Sequence, residues 1–224
     1  MKSLILSVFT VIYCFLSPIS YGQSNVIGSW NILNLRYSIS DSLTFFGEAQ
    51  LRSLGFYNDF HYHEWKVGAL YQIEKNCNVG FGFGKYDTYQ SGGDFITPKR
   101  SDEWRLWPQI ILKQKIYKLG IDHRYRAELR WFPNGFRFRA RYRLSVNYKF
   151  QVFKGLEPIK LEAGTEIFFG NKSPYFERNR VNISSTILVN KSLSVYLGYL
   201  HQFDYQINDE TGRDFAQIGL FIKL

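Results

Sequence analysis

Cysteine is nearly missing from this 224-residue chain: Cys14 and Cys77 are its only two. Cys14 lies in an N-terminal segment expected to be removed, which would leave Cys77 alone. A lone cysteine forms no intrachain disulfide, so a disulfide-stapled secreted domain is excluded. After Gln23 there is no run of 18 apolar residues, so no transmembrane helix is expected. No segment repeats its apolar residues at helical spacing. Dinucleotide-binding glycines are lacking too, because Gly80-Phe-Gly82-Phe-Gly84 has the wrong spacing and no helix follows it. The four histidines, His61, His63, His123 and His201, show neither zinc-protease spacing nor the His-x-Ser pair of a lipid hydrolase carried on a strand. No catalytic residue, metal ligand or cofactor is therefore assigned.

Basic charge is abundant: the formal net charge is +9. Such a balance raises nucleic acid, anionic lipid and acidic ligands as partners. The N-terminus narrows them. Lys2, the apolar run Leu4 to Leu16, and small Ser20 and Gly22 before Gln23 form a secretory signal peptide over 1–22. Its removal would leave +9 − 1 = +8 and one domain over 23–224. Export argues against nucleic acid.

The dominant pattern is period-two alternation. In FRFRARYRLSVNYKF, Phe136, Phe138, Ala140, Tyr142, Leu144, Val146, Tyr148 and Phe150 fall on one face. Arg137, Arg139, Arg141, Arg143, Ser145, Asn147 and Lys149 fall on the other. A strand produces this separation, and a helix would scatter the arginines around its axis. LGIDHRYRAELRW repeats it, and Phe132-Pro-Asn-Gly135 joins the two as a turn. Further alternating segments are Leu43–Arg52, His61–Ile73, Cys77–Tyr89, Glu103–Lys115, Ile159–Phe169, Arg180–Asn190, Leu193–Tyr205 and Asp214–Leu224, with Ile27–Ile39 weaker.

These segments exceed ordinary soluble strands and suit a bilayer, which about 9–11 tilted residues cross. Strands that cross lipid must close on themselves to pair their backbones. The expectation is all-β: a membrane-spanning, antiparallel up-and-down β-barrel of 10–12 strands, apolar outside and polar inside. Aromatics near segment ends (Trp131 and Phe132, Tyr148 and Phe150, Phe168 and Phe169, Phe203 and Tyr205) read as interfacial girdles. A soluble barrel with the arginines outside would crowd too many aromatics into one core. Connectors read as alternately short (Ser40–Ser42, Glu74–Asn76, Ile116–Lys118, Lys191-Ser192) and long (Ser53–Phe60, Gln90–Asp102, Asn171–Asn179, Gln206–Arg213). That fits periplasmic turns and extracellular loops. Ten strands, from Leu43–Arg52 to Asp214–Leu224, would close by themselves. Ile27–Ile39 would then be one of two extra strands, a plug or an edge.

Four motifs in order, Glu48-Ala-Gln50-Leu-Arg52, Glu103-Trp-Arg105-Leu-Trp107-Pro-Gln109, Arg124-Tyr-Arg126-Ala-Glu128-Leu-Arg130 and Arg137-Phe-Arg139-Ala-Arg141-Tyr-Arg143, resemble the domain-of-unknown-function 2490 family. The resemblance covers essentially the whole chain after the signal segment. It implies a Gram-negative outer-membrane β-barrel, often from the Bacteroidota, and no established activity, so the function stays open.

The candidate site is the inward charge set: Glu48, Arg52, Glu64, Glu103, Arg105, Arg124, Arg126, Glu128, Arg130, Arg137, Arg139, Arg141, Arg143, Glu162 and Glu166, with Lys66 and Asp122 beside them. One reading is a basic pore lining for a small anionic solute. The other is a lumen braced by arginine–carboxylate pairs in a closed barrel. On the two arginine-rich segments cations outnumber carboxylates, so full pairing needs partners from other strands. The glycine stripe Gly80, Gly82, Gly84 either makes room for large lumenal side chains or the N-terminal segment, or bends the strand. All four histidines are expected outside, and Cys77 beside a turn is expected to be inert. The resulting picture is a non-enzymatic barrel of the bacterial outer membrane, either a small-solute channel or a structural envelope component. Its partners would be outer-membrane lipid and lipopolysaccharide, with barrel-assembly machinery for insertion. The alternative is a lipid-modifying enzyme with a lipid-facing active site.

Overall fold

The computed structural model describes residues 26–151, 157–205 and 211–224. The signal segment 1–22 lies outside them. Eleven strands follow one another: β1 (Ile27–Ser38), β2 (Leu43–Gly55), β3 (Asn58–Glu74), β4 (Cys77–Gln90), β5 (Ile96–Ile116), β6 (Leu119–Phe132), β7 (Gly135–Phe150), β8 (Ile159–Gly170), β9 (Phe176–Leu188), β10 (Leu193–Asp204) and β11 (Thr211–Lys223). Each pairs with its neighbours in sequence, and β1 pairs with β11 to close the barrel. Among the described residues no helix is long and apolar enough to cross a membrane.

Ten of the eleven pairings are antiparallel. The last, β1 with β11, is parallel and runs from Ile27↔Asp214 to Arg36↔Lys223. The expected antiparallel meander of 10–12 strands is present with one parallel pair at its closure, and the cause of that pair is arithmetic. In an up-and-down meander with an odd number of strands, the first and last point the same way, so closure must be parallel. The β1–β11 pairing corrects the closure of ten strands by themselves. β2 pairs with β1, and β1 is a full wall strand rather than a plug. Its alternation is weak in sequence because apolar Trp30 and Ile32 face the lumen while polar Asn31 faces out.

The connectors do not separate by length as expected. Ser53–Phe60, read as a long loop, is strand on both sides of a tight turn at 56–57. Another tight turn, 133–134, lies at the same end. There Gly135 takes φ 130, a conformation that a side chain would strain. The widest gap in sequence between strands falls between β7 and β8, which adjoin at the opposite end.

The outer wall is apolar and open to its surroundings. Ile183 is 63% exposed, and Val67, Phe81, Tyr125, Leu197 and Leu220 are likewise exposed. The core lies inside, where Trp30, Leu200 and Phe215 form one cluster and Tyr62, Tyr86 and Trp107 another. Trp107 is fully buried against the glycine stripe. A Cβ on Gly82 would fall 2.5 Å from its Cε2, and one on Gly80 would fall 2.6 Å from Leu70 Cδ2. The stripe therefore makes room for lumenal side chains. Phe168, expected in a girdle, is also inside at 1% exposure, and Phe132 lines the lumen as well.

The candidate functional site: a lumenal charge network

The arginine faces of β6 and β7 meet across the lumen with carboxylates brought from other strands. Arg139 donates through Nε to Glu128 Oε2 at 2.7 Å, and its Nη1 lies 3.3 Å from Glu177 Oε2. Arg141 bridges Glu128 and Glu166, reaching Glu166 Oε1 at 2.8 Å through Nη2. Glu166 also receives Arg124 at 2.6 Å. Arg143 pairs with Glu162, which takes Lys160 Nζ at 2.7 Å. Glu103 accepts a two-pronged pair from Arg105, at 2.6 and 2.8 Å, and a second from Arg130. The surplus arginines of β6 and β7 thus draw on Glu103 of β5, Glu162 and Glu166 of β8 and Glu177 of β9. Arg105 and Arg130 each meet Glu103 in the two-pronged fork geometry that makes such pairs strong.

A second wing lies on β1 to β3. Arg52 pairs with Glu64 at 3.2 Å, and Lys66 bridges Glu64 and Glu48 at 2.7 and 2.5 Å. Asn34 donates to Glu48 at 2.7 Å, and Tyr62 donates to Glu64. Asp122, by contrast, is met only by Asn147 at 3.5 Å.

Aromatic rings fill the space between the ion pairs. The Arg52 guanidinium sits 3.4 Å from the Trp30 ring centre and 4.0 Å from that of Tyr62. Arg105 lies over Tyr86 at 3.7 Å and Arg126 over Trp107 at 5.1 Å. Phe168 has Arg139, Arg141 and Arg180 around its ring at 5.2, 4.5 and 4.9 Å. Stacking of this kind favours guanidinium over ammonium, because the planar ion desolvates more readily. Glu128 is wholly buried, and Glu103, Glu64 and Arg139 are each at most 5% exposed. Taking such charges out of water is costly, and it is tolerated here because nearly every one is paired and hydrogen-bonded.

All fifteen expected residues face inward. All but Glu128, which is enclosed by its partners, line a cavity of about 1100 Å³. Among them, Arg137 stands apart. It has no carboxylate among the described residues and lies 5.1 Å from the Phe132 ring centre. Sequence reasoning missed Glu177, Arg178, Arg180 and Asp204. Arg178 pairs with Asp204, and Arg180 donates to Gln202 at 2.9 Å. The alternation signal was present at Arg178 and Arg180, but β9 begins four residues before the expected start. Glu177 was not legible, because it is the extra residue where the β8–β9 register shifts between Phe168 and Phe169.

A β-bulge also corrects one histidine. The β2–β3 register shifts at Arg52/Ser53, where Arg52 faces Tyr62 and Ser53 faces Phe60. His61 is the extra residue, and it lines the lumen instead of the outer wall. Bulges re-aim side chains in this way. The other three histidines bond neighbours: His63 to the Tyr89 hydroxyl at 3.1 Å, His123 to that of Tyr142 at 2.8 Å, and His201 to Asp214 at 2.7 Å. Among the described residues no serine joins these bonds, and no group of three His, Cys, Asp or Glu could hold a metal ion.

Fold and lumen together define a closed, all-β barrel with a charged and aromatic interior and an apolar exterior. A family model described as a protein of unknown function, DUF2490, matches residues 27–213, and the chain belongs to that family. Among curated proteins, none matches.

Proposed function

We propose that this protein is a bacterial outer-membrane β-barrel whose lumen is closed at the waist by its arginine–carboxylate–aromatic network, and that it serves the envelope as a structural, non-enzymatic component. One observation carries the reading: the chain is inverted relative to a water-soluble barrel. Its charges are inside and mostly paired, while many large apolar side chains are exposed outside. Lipid is the solvent in which that arrangement is favourable, since a monomer in water rarely exposes large contiguous apolar surface. The closed barrel leaves no unpaired edge, which a bilayer demands. Outer-membrane lipid and lipopolysaccharide are then its neighbours, and the barrel-assembly machinery inserts it. Extraction supplies the test. The folded protein should require detergent and show heat-modifiable gel mobility, and detergent-independent solubility would overturn the reading.

A second reading, a narrow conduit for small anions, is favoured by the excess of cations over carboxylates along the lumen. It predicts anion-selective conductance in planar bilayers, weakened by Arg139→Glu or Arg141→Glu. The lipid-modifying alternative predicts phospholipid turnover that is lost when His63, His123 or His201 is changed.

A further inference from the structure

Cations that have no carboxylate partner among the described residues gather at one mouth of the barrel. We propose that this mouth, around His61, Arg100 and Arg213, binds a small, multiply charged oxyanion of the phosphate class carried on a soluble solute. The site uses lumenal geometry alone, so it stands whether or not the outer wall meets lipid.

The β2–β3 bulge turns His61 inward. Its ring is 8% exposed, and its Nδ1 is buried with no hydrogen-bond partner. Arg52, across the strand pair, has a buried Nε in the same condition. Buried polar atoms are nearly always bonded, and leaving one unbonded costs free energy that a ligand atom can restore. Among the charges acting most strongly on the His61 ring are Arg52, Arg213 and Arg100, with Asp59 as the opposing carboxylate. Asp59 is already engaged, since its two oxygens accept from the backbone N–H of Gly92 at 3.0 Å and Gly93 at 3.2 Å. The other described carboxylates of this end are paired as well: Asp102 with Lys85 and Lys99, Asp204 with Arg178. Arg100 and Arg213 line the cavity and hold no ion pair or side-chain hydrogen bond among the described residues.

Two free guanidinium forks beside an unbonded imidazole nitrogen suit an anion with several acceptor oxygens and more than one charge. A single carboxylate would satisfy one fork. The lining includes Thr88, Ser91 and Ser101 beside apolar Leu54 and Phe215, and more of its surface is polar than apolar, a poor bed for an acyl chain. That selects a soluble carrier over a lipid headgroup bearing the same phosphate chemistry.

The test is calorimetric titration of the full-length protein in uncharged detergent. One arm uses inorganic pyrophosphate and the other a short-chain phosphatidic acid. The expected result is saturable pyrophosphate binding that weakens about tenfold in Arg100→Gln and again in Arg213→Gln, each removing one charge-assisted hydrogen bond. Lys115→Gln, exposed at the far end, should bind as the native protein does. Both arginines sit at an accessible rim, so folding of the variants can be verified by heat-modifiable mobility. Absence of saturable pyrophosphate binding, or native affinity in both arginine variants, would overturn the site. Binding of phosphatidic acid alone would overturn the soluble carrier.

Discussion

Arg139 and Arg141 at the waist share Glu128 between them and draw further bonds from Glu177 and Glu166, all in a region almost closed to solvent. Arg100 and Arg213 at the mouth have the same side chain and no such partners among the described residues. The difference lies in what each arginine can lean on. At the waist the neighbouring strands β5, β8 and β9 each bring a carboxylate to the height of the β6–β7 arginines. At the mouth the carboxylates are consumed by lysines, by backbone N–H groups or by other arginines. One residue type thus braces the barrel at one height and stays available to a ligand at another.

The comparison is broken most sharply at Glu128. Glu128→Gln leaves Arg139 and Arg141 short of a buried charge partner, and breaking such a pair costs about 3–5 kcal/mol. Denaturant unfolding of the refolded protein in lipid vesicles should register that loss. A cost below about 1 kcal/mol would mean that the waist is solvated and not braced. The next largest effect lies on the other wall. Ile183→Arg, mid-strand on β9 and outward, should cost about 2–4 kcal/mol if lipid surrounds it. In water the same change should stay within about 0.5 kcal/mol, so the identical unfolding assay discriminates the two surroundings. Gly82→Leu places a side chain where Trp107 already sits, an overpacking expected to cost about 1–3 kcal/mol. Its signature should include altered tryptophan fluorescence. Arg137→Gln removes a lumenal cation that has no carboxylate, so stability should move by no more than about 0.5 kcal/mol. A larger loss would show that its stacking on Phe132 matters more than the pairing distinction allows.

Much of this was legible from alternation alone. The faces of β6 and β7 were readable residue by residue, because polar and apolar positions alternate along Ile121–Trp131 and again along Phe136–Phe150, on either side of the turn. The same rule that exposes Phe136 and Phe138 sends Arg137 and Arg139 inside. What alternation could not deliver falls into two physical kinds. The first is the bulge: one extra residue at His61 and one at Glu177 reverses the local facing, and no period-two pattern announces it. The second is the mixed character of the lumen. Trp30, Tyr62, Tyr86, Trp107 and Phe168 are inside because guanidinium planes need flat partners, yet aromatics were expected mainly on the outer wall. The same mixing weakened β1 as a strand and led to ten strands closing without it. The pairing of the arginines was foreseen only as a requirement for help from other strands. Which carboxylates answer it depends on the stagger between strands, and sequence spacing does not fix that stagger.

The central claim is that the paired waist closes the lumen of a membrane barrel. Single-channel recording in planar bilayers, with the native protein and Glu128→Gln side by side, tests it most directly. The account predicts native current at background, with conductance steps appearing only when the waist pairing is broken. Stable anion-selective steps from the native protein, reduced by Arg141→Glu, would contradict it and make the lumen a conduit.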